Sequence, residues 1–259
     1  MQAKTIYKLL ELNRQFYHTF GEAFAATRRR IQPGIRRLLE EIPANGSYLD
    51  VGCGSGALAL EWANQERQGM YFGLDFSFTL LGEAQVSMLK ADTNSLSIRF
   101  AGADLSDEHW PGVLDTASRE DELVPGLWDG VLAFAVLHHI PGIDLRLRIL
   151  RQLRNLLKDG ANFYHSEWQF QHSEKLMARR QPWNSVGIEE NAVDEGDTLL
   201  DWRHVMPEQE GEVGLRYVHL FNRDELAYLA KAASFEIIDE FESDGQGGKL
   251  GLYQTWQAI

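Results

Sequence analysis

The sequence predicts an α/β fold, an open and mostly parallel sheet that binds a ligand at the carboxyl edge of its strands. Three observations carry that reading. Tyr48-Leu49-Asp50-Val51 leads into Gly52-Cys53-Gly54-Ser55-Gly56 and then into a helix-compatible stretch at 57–62, so a buried strand, a tight turn and a helix N-terminus follow one another. A second apolar run, Met70-Tyr71-Phe72-Gly73-Leu74, ends in Asp75, 25 residues after Asp50. Short apolar runs near 97–101, 128–135 and 161–167 then alternate with helical stretches, as in a sheet built from strand–helix units.

The order of the glycines decides what the loop can hold. A dinucleotide fingerprint has G-x-G-x-x-G and a phosphate loop ends in Lys-Ser or Lys-Thr. This loop has G-x-G-x-G, preceded by Asp50 and containing no lysine or arginine. An acid at the mouth of a glycine turn suits a ligand with cationic groups better than a pyrophosphate. Asp75 occupies the place where an acid at the tip of the second strand takes ribose hydroxyls, and an N-cap ahead of a helix over 76–89 is its alternative role.

Composition bounds the remaining choices. At 259 residues the chain is long enough for one large α/β domain, 1–259, and short for two. No run approaches the roughly 18 apolar residues that span a bilayer, and no apolar signal core follows Met1, so no membrane role and a cytoplasmic location are expected. The single cysteine, Cys53, excludes an intrachain disulfide and a cysteine-cluster zinc site, and no metal site is expected. The net charge of −13 argues against a broadly basic nucleic-acid surface, although Arg28-Arg29-Arg30 with Arg36-Arg37 and the arginines at 146, 148, 151 and 154 form local basic clusters.

Along the chain, residues 1–45 read as a helical cap, with Ile6, Leu9, Leu10, Leu12 and Phe16 at helical spacing and Pro33-Gly34 breaking the pattern. A third strand over 97–101 leads to Asp104-Leu105, and the polar segment 106–127 reads as an insertion or a short extra helix. The fourth strand begins at Trp128 and carries Phe134. An amphipathic helix over 146–157, closed by Lys158-Asp159-Gly160 as a glycine cap, precedes a fifth strand over 161–167. A helix over 223–233 and antiparallel sixth and seventh strands over 235–241 and 250–257 close the sheet. The interval 168–214, with Trp168, Trp183 and Trp202, lies outside that pattern and is expected to cover the substrate.

Asp50, Gly52, Gly54 and Gly56 together resemble the D/E-x-G-x-G-x-G motif of class I S-adenosylmethionine-dependent methyltransferases. Trp128-Asp129-Gly130-Val131 followed by Ala135-Val136-Leu137-His138-His139 is similar to the fourth-strand motif of that family. The resemblance implies a Rossmann-like seven-stranded sheet with N-terminal helices and an insertion after the fifth strand. It implies S-adenosylmethionine as cofactor, with Asp75 on the ribose, Asp104-Leu105 at the adenine and Phe134 in the wall beside the methyl donor.

The flanks carry a narrower resemblance. Tyr17, Gly21, Phe24, Thr27 and Arg28 match the Y-x-x-x-A/G-x-x-F-x-x-T-R pattern of tRNA wobble-uridine carboxymethyl methyltransferases, and Arg216-Tyr217-Val218-His219-Leu220-Phe221 resembles their R-Y-x-H-x-F segment. The chain departs from that family where Arg29-Arg30-Ile31-Gln32 replaces a Pro-Trp segment. The resemblance implies a tRNA carboxylate as acceptor and a small zinc-binding activator protein as partner. A carboxylate is already anionic and needs no base, so Arg28 and Arg216 are the candidates to orient it, with Tyr17, His138 and His219 shaping the pocket. For a hydroxyl or amine acceptor, as in small-molecule methyltransferases of secondary metabolism, His138 or His139 is the candidate base. A non-catalytic binding module is the third reading, and the intact acid-glycine loop weighs against it.

Overall fold

The computed structural model describes residues 1–27, 30–89, 91, 95–120 (120 by its backbone alone), 124, 126–203 and 213–259. Two N-terminal helices, α1 (Ala3–Ala26) and α2 (Pro33–Glu41), precede the sheet. Pro33 sits in the first turn of α2, where its missing N–H costs nothing. Then follow β1 (Asn45–Val51), α3 (Ala57–Asn64), β2 (Gln68–Asp75), α4 (Phe78–Met88), β3 (Leu96–Gly102), α5 (Gly112–Glu120), β4 (Trp128–Phe134), α6 (Ile143–Leu156) and β5 (Leu157–Trp168). The chain continues through α7 (Glu174–Met177), β6 (Arg180–Gln181), β7 (Asp197–Trp202), β8 (Gly214–His219), α8 (Arg223–Ala232), β9 (Phe235–Ser243) and β10 (Gly251–Ala258).

Seven strands form one sheet in the order β3-β2-β1-β4-β5-β10-β9. β1 through β5 pair in parallel, and β10 is antiparallel to both β5 and β9, so the sixth strand in sequence runs with the first five. Both faces are covered, which is why the strands read as nearly continuous apolar runs. On one face Leu49, Val51, Phe72 and Val131 pack with Leu150 and Leu153 of α6 and Leu226 and Leu229 of α8. On the other, Tyr48, Tyr71 and Leu132 meet Leu38 and Leu39 of α2 and Trp62 of α3. Fully burying each such side chain is worth about 1.5–3 kcal/mol.

After β3 the chain crosses to the far side of β1 and enters β4, so the strand order reverses between β1 and β4. The loops leaving these two strands part at that point and open a crevice at the carboxyl edge. α1 lies across it, packed on α4 and β8.

Two sequence expectations change and a third is met. The helix expected over 146–157 is α6, which starts at Ile143 and ends at Leu156; β5 begins at once, so Gly160 (φ +76°) lies inside the irregular start of that strand rather than capping the helix. The segment 106–127 contains α5, the short extra helix that was one of its two expected forms. The interval 168–214 holds regular structure: β6, β7 and β8 form a three-stranded antiparallel sheet that extends to His219. β7 is buried along its whole length, which removes the polar alternation by which a strand is usually recognised. Among the described residues no helix is long and apolar enough to cross a membrane, and no group of three or more His, Cys, Asp or Glu side chains is placed to hold a metal ion.

Candidate active site

A cavity of about 300 Å³ opens at the crevice between the β1 and β4 loops. Its floor is the glycine loop, whose three glycines do different work. Gly52 (φ +76°) donates to the Leu74 carbonyl at 2.7 Å, stitching the loop to the end of β2, and a Cβ there would lie 2.5 Å from the Val136 side chain. Gly54 (φ +56°) faces open space, with nothing within 4 Å of a Cβ, so its bare backbone shapes the cavity floor. Gly56 (φ +75°) is the N-cap of α3, and a Cβ there would lie 2.8 Å from the Ala84 Cβ. Gly56 is absent from the cavity wall; it permits close packing of α3 on α4 rather than contact with a ligand.

Three acids surround that floor. Asp75 ends β2, with Oδ2 accepting from Gly54 N at 2.9 Å and Oδ1 from Ser77 N at 2.8 Å. Ser77, not Asp75, caps α4, accepting from Leu80 N. Burial raises the Asp75 carboxyl, and the amide bonds from Ser77 and Gly54 only partly offset it. Asp50 accepts from the Tyr71 hydroxyl, and burial nevertheless pushes its carboxyl up to about 7, with the nearby Asp75 acting in the same direction. Burial would raise Asp104 as well, but hydrogen bonds from Ser106 and the Arg14 guanidinium outweigh it and hold that carboxyl below the ordinary range. Arg14 Nε donates to Asp104 Oδ2 at 2.8 Å, which ties α1 to the β3 loop. Two buried acids short of a countercharge make the floor receptive to a cation.

The opposite wall comes from β4 and the turn after it. Phe134 ends the strand, and Ala135 takes a left-handed conformation (φ +60°) while donating to the Ser166 carbonyl at 3.1 Å. A side chain held there costs about 1 kcal/mol or more, a strain typical of functional turns. A 3-10 turn over Leu137–His139 then aims His138 and His139 at the cavity. Glu167 of β5 supports the first: its Oε2 accepts from the His138 backbone N–H and lies 3.1 Å from His138 Nδ1.

The roof is α1 and the small sheet. Tyr17 lines the cavity, its hydroxyl 3.2 Å from His139 Nε2. Arg216 of β8 is 3% exposed and sits in a ring of aromatic side chains, its guanidinium carbon 4.8 Å from the Trp168 ring centre, 5.4 Å from Phe16, 5.5 Å from Trp202 and 5.7 Å from Phe24.

Of the residues singled out in the sequence, Asp50, Gly52, Gly54, Asp75, Asp104, Leu105 and Phe134 line the cavity, as do Tyr17, His138 and Arg216. His219 does not. Side chains alternate along β8, so Arg216 points to the cavity while Tyr217 and His219 point to the other face. There His219 Nδ1 meets Asp197 at 2.7 Å and Nε2 meets Glu225 at 2.9 Å, in a buried network that includes Arg146. Its role is to join β8 to β7 and α8. Arg28 lies outside the described residues. Asn13, Arg14 and Glu167 were not anticipated; a polar residue within the apolar stripe of α1 was the visible sign of Asn13.

A family model described as a methyltransferase domain matches residues 24–240. The chain belongs to that methyltransferase family. The methyltransferase is 26% identical over 226 residues to a methyltransferase-named protein of Encephalitozoon cuniculi (strain GB-M1), with 87% of each chain covered. It is 21% identical over 188 residues to the Arabidopsis thaliana tRNA (carboxymethyluridine(34)-5-O)-methyltransferase, covering 70% of this chain and 39% of that one. Among solved structures, a SAM-dependent methyltransferase from Methanosarcina mazei shares its fold with a TM-score of 0.62 at 22% identity, over 88% of this chain and 98% of that one.

Proposed function

We propose that this methyltransferase transfers the methyl group of S-adenosylmethionine to a carboxylate on a modified wobble uridine of tRNA. The donor fits the floor: Gly54 leaves the loop backbone open at a position a Cβ would fill, and the raised Asp50 and Asp75 are completed by a cation. Bound there, the donor supplies a methyl group on a cationic sulfur. The chain's own residues then orient it. Asp75 would accept from the ribose hydroxyls, Asp104 and Leu105 would hold the adenine, and Asp50 would face the cationic amino-acid end. Methyl transfer is an in-line displacement that depends mostly on such positioning.

The observation that carries the acceptor is Arg216, a guanidinium in the cavity wall whose aromatic surroundings strengthen its pull on an anion. The matches at Tyr17, Phe24 and Thr27 and the Arabidopsis relative favour the carboxylate of a wobble uridine. Arg28 would join Arg216 in orienting the carboxylate, and Arg29 and Arg30 would supply local phosphate contacts on an otherwise acidic chain, helped by a small zinc-binding activator. The test is methyl transfer from labelled donor to tRNA bearing carboxymethyluridine, with and without such an activator, paired with nucleoside analysis of tRNA from cells lacking the protein. A base-labile methyl ester on the wobble uridine is the expected product; label entering a small acid or phenol instead would reject the tRNA acceptor. A second reading, a small-molecule O- or N-methyltransferase, is favoured by His138 and His139 in the cavity wall and by the net charge of −13.

A further inference from the structure

The two histidines of the β4 turn carry their protons on different nitrogens, and each assignment follows from what lies behind the ring. His139 Nδ1 is 3.2 Å from the Tyr217 carbonyl oxygen, which can only accept, so Nδ1 holds the proton. In the neutral ring Nε2 is therefore a lone pair, and Tyr17, 3.2 Å away, donates its hydroxyl proton to it. Asn13 fixes this arrangement from α1. Its Nδ2 donates to the Tyr217 and His139 carbonyls, each at 3.2 Å, and its Oδ1 accepts from Tyr217 N at 2.8 Å. Asn13 is 5% exposed and both of its bonds to Tyr217 are buried, where water does not replace them. At His138 the order is reversed. The Trp168 backbone N–H donates to Nδ1 at 3.3 Å, which makes that nitrogen the acceptor. The His138 proton is left on Nε2. The cavity thus has one histidine poised to accept a proton and a neighbour that is not.

We propose that Tyr17 and His139 form a proton relay that activates a hydroxyl acceptor in this cavity, giving the enzyme O-methylation of alcohols or phenols as a second activity. The proposal rests on the reading of the cavity as a methyl-transfer site, but not on the carboxylate acceptor, which needs no base. In the step, the acceptor O–H proton passes to Tyr17 Oη as the Tyr17 proton passes to His139 Nε2. The acceptor oxygen bonds the methyl carbon, the carbon–sulfur bond breaks, and its electron pair stays on sulfur as a neutral thioether. The products are a methyl ether and a His139 imidazolium, which keeps its Tyr217 contact and now donates to Tyr17 before releasing its proton to solvent. Asn13 is a positioning residue, holding the carbonyl that sets the tautomer.

The test uses 3-(4-hydroxyphenyl)propanoate, which carries both acceptor groups, with labelled S-adenosylmethionine and product analysis. The methyl ether is the expected product. Tyr17→Phe, an isosteric change, lowers kcat for the ether at least ~100-fold, in the range general acid–base groups contribute, and removes the ascending limb of its pH profile. Proton–nitrogen correlation spectra of the wild-type imidazoles show His139 with its proton on Nδ1, and Asn13→Ala moves the population towards Nε2–H. Absence of the ether, or an Nε2–H tautomer at His139 in the wild type, overturns the relay. Ester without ether rejects the relay while methyl transfer in this cavity stands; ether without ester supports the relay and leaves the tRNA carboxylate to its own assay.

Discussion

Gly54 and Gly56 share a left-handed backbone, yet alanine at the two positions has different consequences for ligand binding. The conformational cost is similar, about 1–2 kcal/mol for placing an L side chain in that region. At Gly54 nothing else is added, because no atom lies within 4 Å of the new Cβ. For a chain of this length each kcal/mol lowers Tm by roughly 2–4 °C, so Gly54→Ala loses about 2–8 °C. Its methyl group projects over the cavity floor, and a clash there weakens adenosylhomocysteine by at least ~10-fold, or about 1.4 kcal/mol. At Gly56 the Cβ lies 2.8 Å from the Ala84 Cβ and 3.1 Å from its Cα, and backbone cannot swing aside. Overpacking adds about 1–3 kcal/mol, so Gly56→Ala loses roughly 4–20 °C. Thermal unfolding and titration calorimetry on both variants separate the two effects. Unchanged affinity in Gly54→Ala, or weakened binding in Gly56→Ala with no loss of Tm, would refute the division of labour.

The acids give a pH signature. With its carboxyl near 7, Asp50 is mostly protonated below neutrality, and a cationic ligand favours its ionised form; donor affinity therefore rises with pH and levels off above about 7, and calorimetry on Asp50→Asn should show that slope flattened. For the same reason the free fold loses part of its stability as pH rises from about 4 to 7, the protonated acid being the better-tolerated form, and Asp50→Asn reduces that loss in denaturant titrations at the two pH values. His219→Ala takes one partner from buried Asp197 and one from half-buried Glu225, leaving Arg146 between them, so urea unfolding should show a loss of about 1–3 kcal/mol with donor affinity intact. Arg216→Gln has the converse pattern: acceptor turnover drops by at least ~10-fold while donor affinity holds, and a parallel loss of donor binding would remove Arg216 from the acceptor side.

The cavity floor was legible because its determinants are local. Asp50 through Gly56 is one strand–turn–helix, and Asp75 ends the next strand, so spacing alone brings them together. The roof was less so. Arg216 and His219 fall in one short motif, yet strand parity sends them to opposite faces, which a pattern of letters does not display. Asn13 and Arg14 act on partners 204 and 90 residues away, and Glu167 on His138 across the β4–β5 pair, so none leaves a local trace. Lys158-Asp159-Gly160 imitates a helix cap but belongs to a strand, because β4 pairs with β5 from Leu157 onward. The insertion concealed its small sheet because β7 is apolar or buried on both faces and β6 has two residues.

In the function proposed, the acids around the glycine loop hold S-adenosylmethionine. Titration calorimetry of that ligand into wild-type protein and into Asp75→Ala tests it most directly, with thermal unfolding to show that the variant remains folded. One-site binding is expected in the wild type. The variant should bind at least ~10-fold more weakly, since charge-assisted hydrogen bonds to the ribose are each worth about 1.5–3 kcal/mol. Equal affinity in a folded Asp75→Ala protein, or no binding to the wild type, would contradict that role of the acids.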